Sequence, residues 1–241
     1  MAQLDVSKLD ITKTNAAIDR LLEVTDNPRH RFMLHAYYRH RYLEIAGRYD
    51  EIFEPGMMSD KAVYHFHAGE TNAELEGKDA IKSLYKMWAE TNQNIFYVDY
   101  EEVAVADHYI ASVSTLHQQV WGGSLKMSRA LAVLPGFLSE RILKRVLASK
   151  GFSPHDDAMY LYSNTIQMIW PYDDECRLIG EDVWEPDPEK AVITKLDASQ
   201  VLTAARAAQL LEPFIKPLPS FDEVPRTRTA SWQPELSPEV A

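Results

Sequence analysis

The chain has 241 residues, 46% of them hydrophobic, which is enough to build a full-sized core and excludes global disorder. Thirty-six acidic against 25 basic residues give a net charge of −11, which argues against a nucleic-acid or anionic-membrane surface as the main partner. The single cysteine, Cys176, rules out an internal disulfide framework and a cysteine-cluster metal site, and no apolar run approaches the length of a membrane span. The start, MAQLDVSKLD, has no apolar secretory core, so the expected location is cytoplasmic.

In chain order, TNAAIDRLLEV (14–24) reads as a short helix, and Asp26-Asn27-Pro28 caps and starts the next. Residues 28–47 form a long helix rich in Tyr, His and Arg. Its stripe of Leu34, Tyr38, Tyr42, Ile45 and Tyr49 is expected to face the interior, and its arginines (29, 31, 39, 41, 48) are expected to be solvated or interfacial. YDEIFE adds a turn before the Pro55-Gly56 break. AVYHFH (62–67) alternates as a strand, with Val63, His65 and His67 on one face and Tyr64 and Phe66 on the other. A polar hairpin or loop covers 68–77. A helix over 78–92 carries the stripe Ile81, Leu84, Tyr85 and Trp88.

Two long strands, 94–106 and 108–121, come next, and His117 shares a face with Val113, Thr115 and Trp121. Residues 124–153 interrupt the β pattern with a basic helix from Pro135, read as a lid or oligomer contact. Strands resume at 158–170 and 176–184. EPDPE breaks the pattern, 197–212 reads as an Ala-rich helix, and six prolines mark the last thirty residues as an extended tail. The domain reading is an N-terminal helical extension (1–27), a main domain (28–190) with the 124–153 insertion, and a C-terminal helix and tail (191–241). The expected fold class is α+β, a curved antiparallel sheet of four to six strands wrapped by helices around one deep pocket, a cone-like barrel.

Three segments, RYLEIAGRYDEIF, DKAVYHFH and GKDAIKSLY, with the final DECRLIGEDVW, resemble the nuclear transport factor 2-like superfamily, which includes the SnoaL-like proteins, ketosteroid isomerase and scytalone dehydratase. RYLEIAGRYD is similar to the isomerase helix whose Tyr donates to a developing oxyanion, which implies that role for Tyr42. The isomerase's base position falls on His65. LHQQV and Ser163-Asn164-Thr165 resemble scytalone dehydratase, implying catalytic roles for His117 and Asn164, while that enzyme's second His falls near Asn94.

The resemblance implies a cofactor-independent lyase. It would work by acid–base elimination of water, with possible loss of formaldehyde through a quinone methide, on a small hydroxylated aromatic such as a lignin-derived diarylpropane. Imidazoles titrating near ~6.5 suit both acid and base. Tyr42, His65, His117 and Asn164 are the catalytic candidates, and Tyr38, His67, Trp88, Asn94, Trp121 and Met168 the substrate-binding ones. No cofactor is required, and the partners implied are the small aromatic substrate and other copies of the chain, as dimer or trimer, with no nucleic acid and no membrane. Three other readings stand beside this one. They are an isomerase or polyketide cyclase of the same fold, a metal enzyme built on His65-Phe66-His67 with Glu70 and His117, and a non-catalytic ligand-binding module.

Overall fold

A computed structural model describes residues 4–68, 71–122 and 158–219. The basic helix expected in 124–153, Glu70 and most of the proline-rich tail lie outside them. The helices are α1 (Ala16–Val24), α2 (Pro28–Ile45), α3 (Lys78–Glu90) and α4 (Ala204–Leu211). The strands are β1 (Met58–Ala68), β2 (Thr71–Glu76), β3 (Phe96–Ala106), β4 (Tyr109–Trp121), β5 (Met159–Pro171), β6 (Leu178–Glu185) and β7 (Val192–Lys195).

The fold class is α+β, with helices packed on a curved sheet, as expected. The strand order is β2-β1-β6-β5-β4-β3, with β7 also on β5, so the sheet has free edges and does not close into a barrel. It is also not purely antiparallel, because β1 runs parallel to β6, with His65 opposite Asp182 and Phe66 opposite Val183. β2 forms a hairpin with β1, one of the two readings of 68–77, and β7 adds a strand where the sequence showed only a break. β7 is four residues long and leaves too little alternation to see.

Local chemistry sets the helix ends. The Asn27 side chain accepts from the Arg29 and His30 amides, and Pro28 opens α2. Gly47, at φ +68, ends it in the left-handed conformation that favours glycine. α3 buries Ile81, Leu84, Tyr85 and Trp88, the stripe that the sequence spacing predicts. α4 is shorter than expected. The Gln119 amide bonds both the Leu202 N–H (2.9 Å) and its carbonyl (2.8 Å), which holds 202 out of the helix, and Thr203 caps Arg206.

The arginines of α2 are not a solvated face. Arg29 donates to the carbonyls of Asp107, Asp173 and Asp174, tying the start of α2 to two strand turns. Arg39 binds Glu51 and the Lys216 carbonyl, and Arg41 binds Glu101 through two contacts of 2.9 and 3.1 Å. α2 is covered on both sides, by the sheet on one and by the N- and C-terminal segments on the other, so its polar residues reach partners inside the protein.

Candidate active site

One cavity lies between the sheet and the helices. Alternation places Tyr64 and Phe66 of β1, Glu181 and Val183 of β6, Met168 and Trp170 of β5, and Ser114, Leu116 and Gln118 of β4 on one sheet face, and all of them line it. Arg41 and Glu44 of α2 and Tyr85 and Trp88 of α3 close the other side. The volume is about 50 Å³.

The polar groups in this apolar hollow are few and coupled. Arg41 is neutralised by buried Glu101, so its charge is already spent. Glu44 and Glu181 face the cavity, and among the described residues burial and neighbouring charges, with no hydrogen bond, set the state of both carboxyls. Burial raises the Glu44 pKa well above the carboxylate range, and the Glu181 charge adds to the effect. Burial also pushes Glu181 up to about 8, with Arg41 opposing the shift. Burial thus favours the protonated form of both carboxyls, and Glu181 is mostly protonated at neutral pH. Beside them, His40 Nε2 lies 2.8 Å from the Tyr85 hydroxyl, which lies 2.9 Å from the Tyr64 hydroxyl. Burial lowers the His40 pKa to about 3, so the ring is neutral. The indole N–H groups of Trp88 and Trp170 are buried without hydrogen-bond partners among the described residues.

The expected site residues do not come together here. Trp88 and Met168 line the cavity. Tyr42 is buried on the opposite side of α2. Its hydroxyl donates to the Thr12 carbonyl (2.6 Å), and its ring packs on Tyr38 and Phe214, so the stripe of Tyr38 and Tyr42 faces the terminal segments instead of the sheet cavity. His65 and His117 do share a sheet face, but it is the face away from the cavity. His65 Nδ1 lies 2.7 Å from Asp182, and Glu74 lies 3.5 Å from Nε2. His67 stacks on Trp184 at 5.3 Å and contacts Asn72. Trp121 shares that outer face in the β4 alternation. Asn94 caps the end of α2 through the Glu44 and Ile45 carbonyls.

Asn164 is on the inner face but fully used. Its amide donates to Glu185 and to the Asp187 carbonyl, and its oxygen accepts from Thr165 N–H. His117 and Asn164 instead share a separate cleft with Ser163. Among the described residues no three His, Cys, Asp or Glu side chains gather as metal ligands, and His65 and His67 are each engaged elsewhere.

The sequence carried a signal for the residues missed. Tyr37, His40, Arg41 and Glu44 recur at i, i+3, i+4 and i+7, a polar stripe on the sheet side of α2. Glu181 and Glu185 are in phase with buried Val183.

No protein-family model matches the chain, and no curated protein matches it. Among solved structures, an NTF2-like protein from Anabaena variabilis is similar, at 8% identity and a TM-score of 0.42, over 67% of this chain and 92% of that one. The functional reading rests on the cavity itself. No described helix is long and apolar enough to cross a membrane.

Proposed function

We propose that the chain is a cofactor-independent, NTF2-like lyase that removes water from a small, uncharged hydroxylated aromatic compound by acid–base elimination in the inner cavity. The observation that carries this is the pair of carboxyls, Glu44 and Glu181, facing one apolar hollow with no hydrogen-bond partner among the described residues and next to a phenol chain that ends at Tyr64. Environments that push two like groups to different pKa values divide acid from base. Glu44, raised first by burial and then by the Glu181 charge, is assigned as the acid. Glu181, for which Arg41 is the first opposing influence, is assigned as the base and acts in the fraction of molecules in which it has ionised, a fraction that grows as pH rises toward 8.

On a benzylic alcohol bearing a para-phenol, Glu181 takes the phenol proton. The electron pair moves through the ring, and the benzylic C–O bond breaks. Glu44 protonates the departing hydroxide, giving water and a quinone methide. With the His40 proton on Nε2, donation runs from His40 to Tyr85 to Tyr64, and Tyr64 is left to donate to the phenolate oxygen as it forms. Arg41 is committed to Glu101, so nothing favours an anionic substrate. A cavity of about 50 Å³ is smaller than the roughly 150 Å³ that takes one benzene ring, so a single-ring substrate already requires the rim to give, and a two-ring diarylpropane more so.

The test is turnover of 4-hydroxybenzylic alcohols, followed by quinone methide absorbance with chelator present. Glu181→Gln and Glu44→Gln are expected to lower kcat by about 10²–10⁴-fold while the substrate still binds. Binding without turnover by the unaltered protein supports a ligand-binding module instead. Full activity in Glu181→Gln overturns the assignment.

A further inference from the structure

The cavity wall carries a neutral polar group that the acid–base assignment does not use. Gln118 of β4 lines the hollow beside Ser114 and Leu116 and is 5% exposed. Its amide nitrogen donates to the Gln93 carbonyl (2.9 Å), in the turn between α3 and β3. That bond fixes which way the amide points, because only its nitrogen can donate to a carbonyl. The other end, Oε1, has no hydrogen-bond partner among the described residues. It also keeps accessible surface, which the indole nitrogens of Trp88 and Trp170 do not.

Glu44 stands at the same end of the hollow. Asn94, the residue after Gln93, donates to the Glu44 carbonyl (3.2 Å). Glu181 stands at the other end. It precedes Asp182, whose row crosses β5 at Ile169 and β4 at Ala111. Its partner on β1 is Tyr64, where the phenol chain finishes. A para-hydroxybenzylic alcohol likewise carries its two oxygens at opposite ends of one ring. Its alcohol needs two partners, a donor for the oxygen and an acceptor for the hydrogen. Glu44 is the donor. Ser114 can turn its hydroxyl either way, whereas the Gln118 oxygen can only accept, so Gln118 selects an O–H.

We propose that Gln118 Oε1 accepts the benzylic O–H of the substrate and so aims the hydroxyl oxygen at Glu44. This rests on the lyase reading and names the substrate group that the cavity selects. When the benzylic C–O bond breaks, the oxygen gains the Glu44 proton and leaves as water. Gln118 holds that oxygen throughout and exchanges no proton.

The experiment is calorimetric titration in the Glu181→Gln background, where turnover is expected to be slow. One ligand is 4-(hydroxymethyl)phenol; the other is 4-methylphenol, which is smaller and lacks the alcohol. Adding Gln118→Leu is expected to weaken binding of the alcohol about tenfold and to leave 4-methylphenol as tight or tighter. Gln118→Met, close to glutamine in length, is expected to do the same. Equal losses for both ligands in both variants, an unchanged affinity for the alcohol, or no binding of either ligand overturns the proposal. Turnover by the unaltered protein is measured separately. If it is absent while the selective loss holds, the lyase reading falls and Gln118 stands as the acceptor for a ligand hydroxyl.

Discussion

At the scale of single residues, the interior depends on charges that are either paired or titrated away. Arg41 and Glu101 are both almost fully buried and hydrogen-bonded to each other. Removing only one leaves an uncompensated buried charge. Arg41→Leu is therefore expected to cost about 3–5 kcal/mol by urea unfolding, and Arg41→Leu with Glu101→Gln to recover most of it. His40 and Glu181 give stability opposite pH dependences. The His40 pKa falls from 6.5 to about 3 on folding, so its contribution is full above pH 6.5 and is lost as pH falls toward 3. The Glu181 pKa rises from 4.5 to about 8, so its contribution is full below pH 4.5 and is lost as pH climbs toward 8. Each slope approaches about 1.4 kcal/mol per pH unit inside its window. Unfolding free energies measured from pH 3 to 9 are expected to flatten on the acid side in His40→Gln and on the alkaline side in Glu181→Gln.

Among the elements, the parallel contact of β1 with β6 sets which side chains meet. A Cβ at Gly180 would lie 2.5 Å from the Val63 carbonyl oxygen, backbone against backbone. Gly180→Ala must push the two strands apart, which is expected to cost about 1–3 kcal/mol and to lower the thermal midpoint. The same contact shows what the sequence could and could not reveal. Alternation separated Tyr64 and Phe66 from His65 and His67 correctly, but alternation alone does not say which face is concave. In α2 the helix period was visible, yet the stripe chosen was the tyrosine one. Both sides of the helix are buried, so the polar side that meets the sheet looked like a solvent face. Glu44 sits in RYLEI and Glu181 in IGEDV, runs that look like ordinary polar surface until the fold brings them to one cavity.

For the whole molecule, the element order and the α+β class were legible because long periodic segments dominate the chain. The short strand β7 and the parallel pairing come from contacts distant in sequence, whereas β2 is the return strand of a local hairpin with β1. The cavity is a property of that assembly. Five strands and two helices each give it one to three side chains. Its low dielectric raises both glutamates, and the proposed function rests on that to divide them into an acid and a base. The most direct measurement is a pH titration of the glutamate side-chain carboxyls by carbon-13 NMR. The account predicts one carboxyl titrating near pH 8 that vanishes in Glu181→Gln. It also predicts a second, raised well above the ordinary carboxylate range by burial, that vanishes in Glu44→Gln. A spectrum in which both carboxyls have ionised by pH 5 would contradict it.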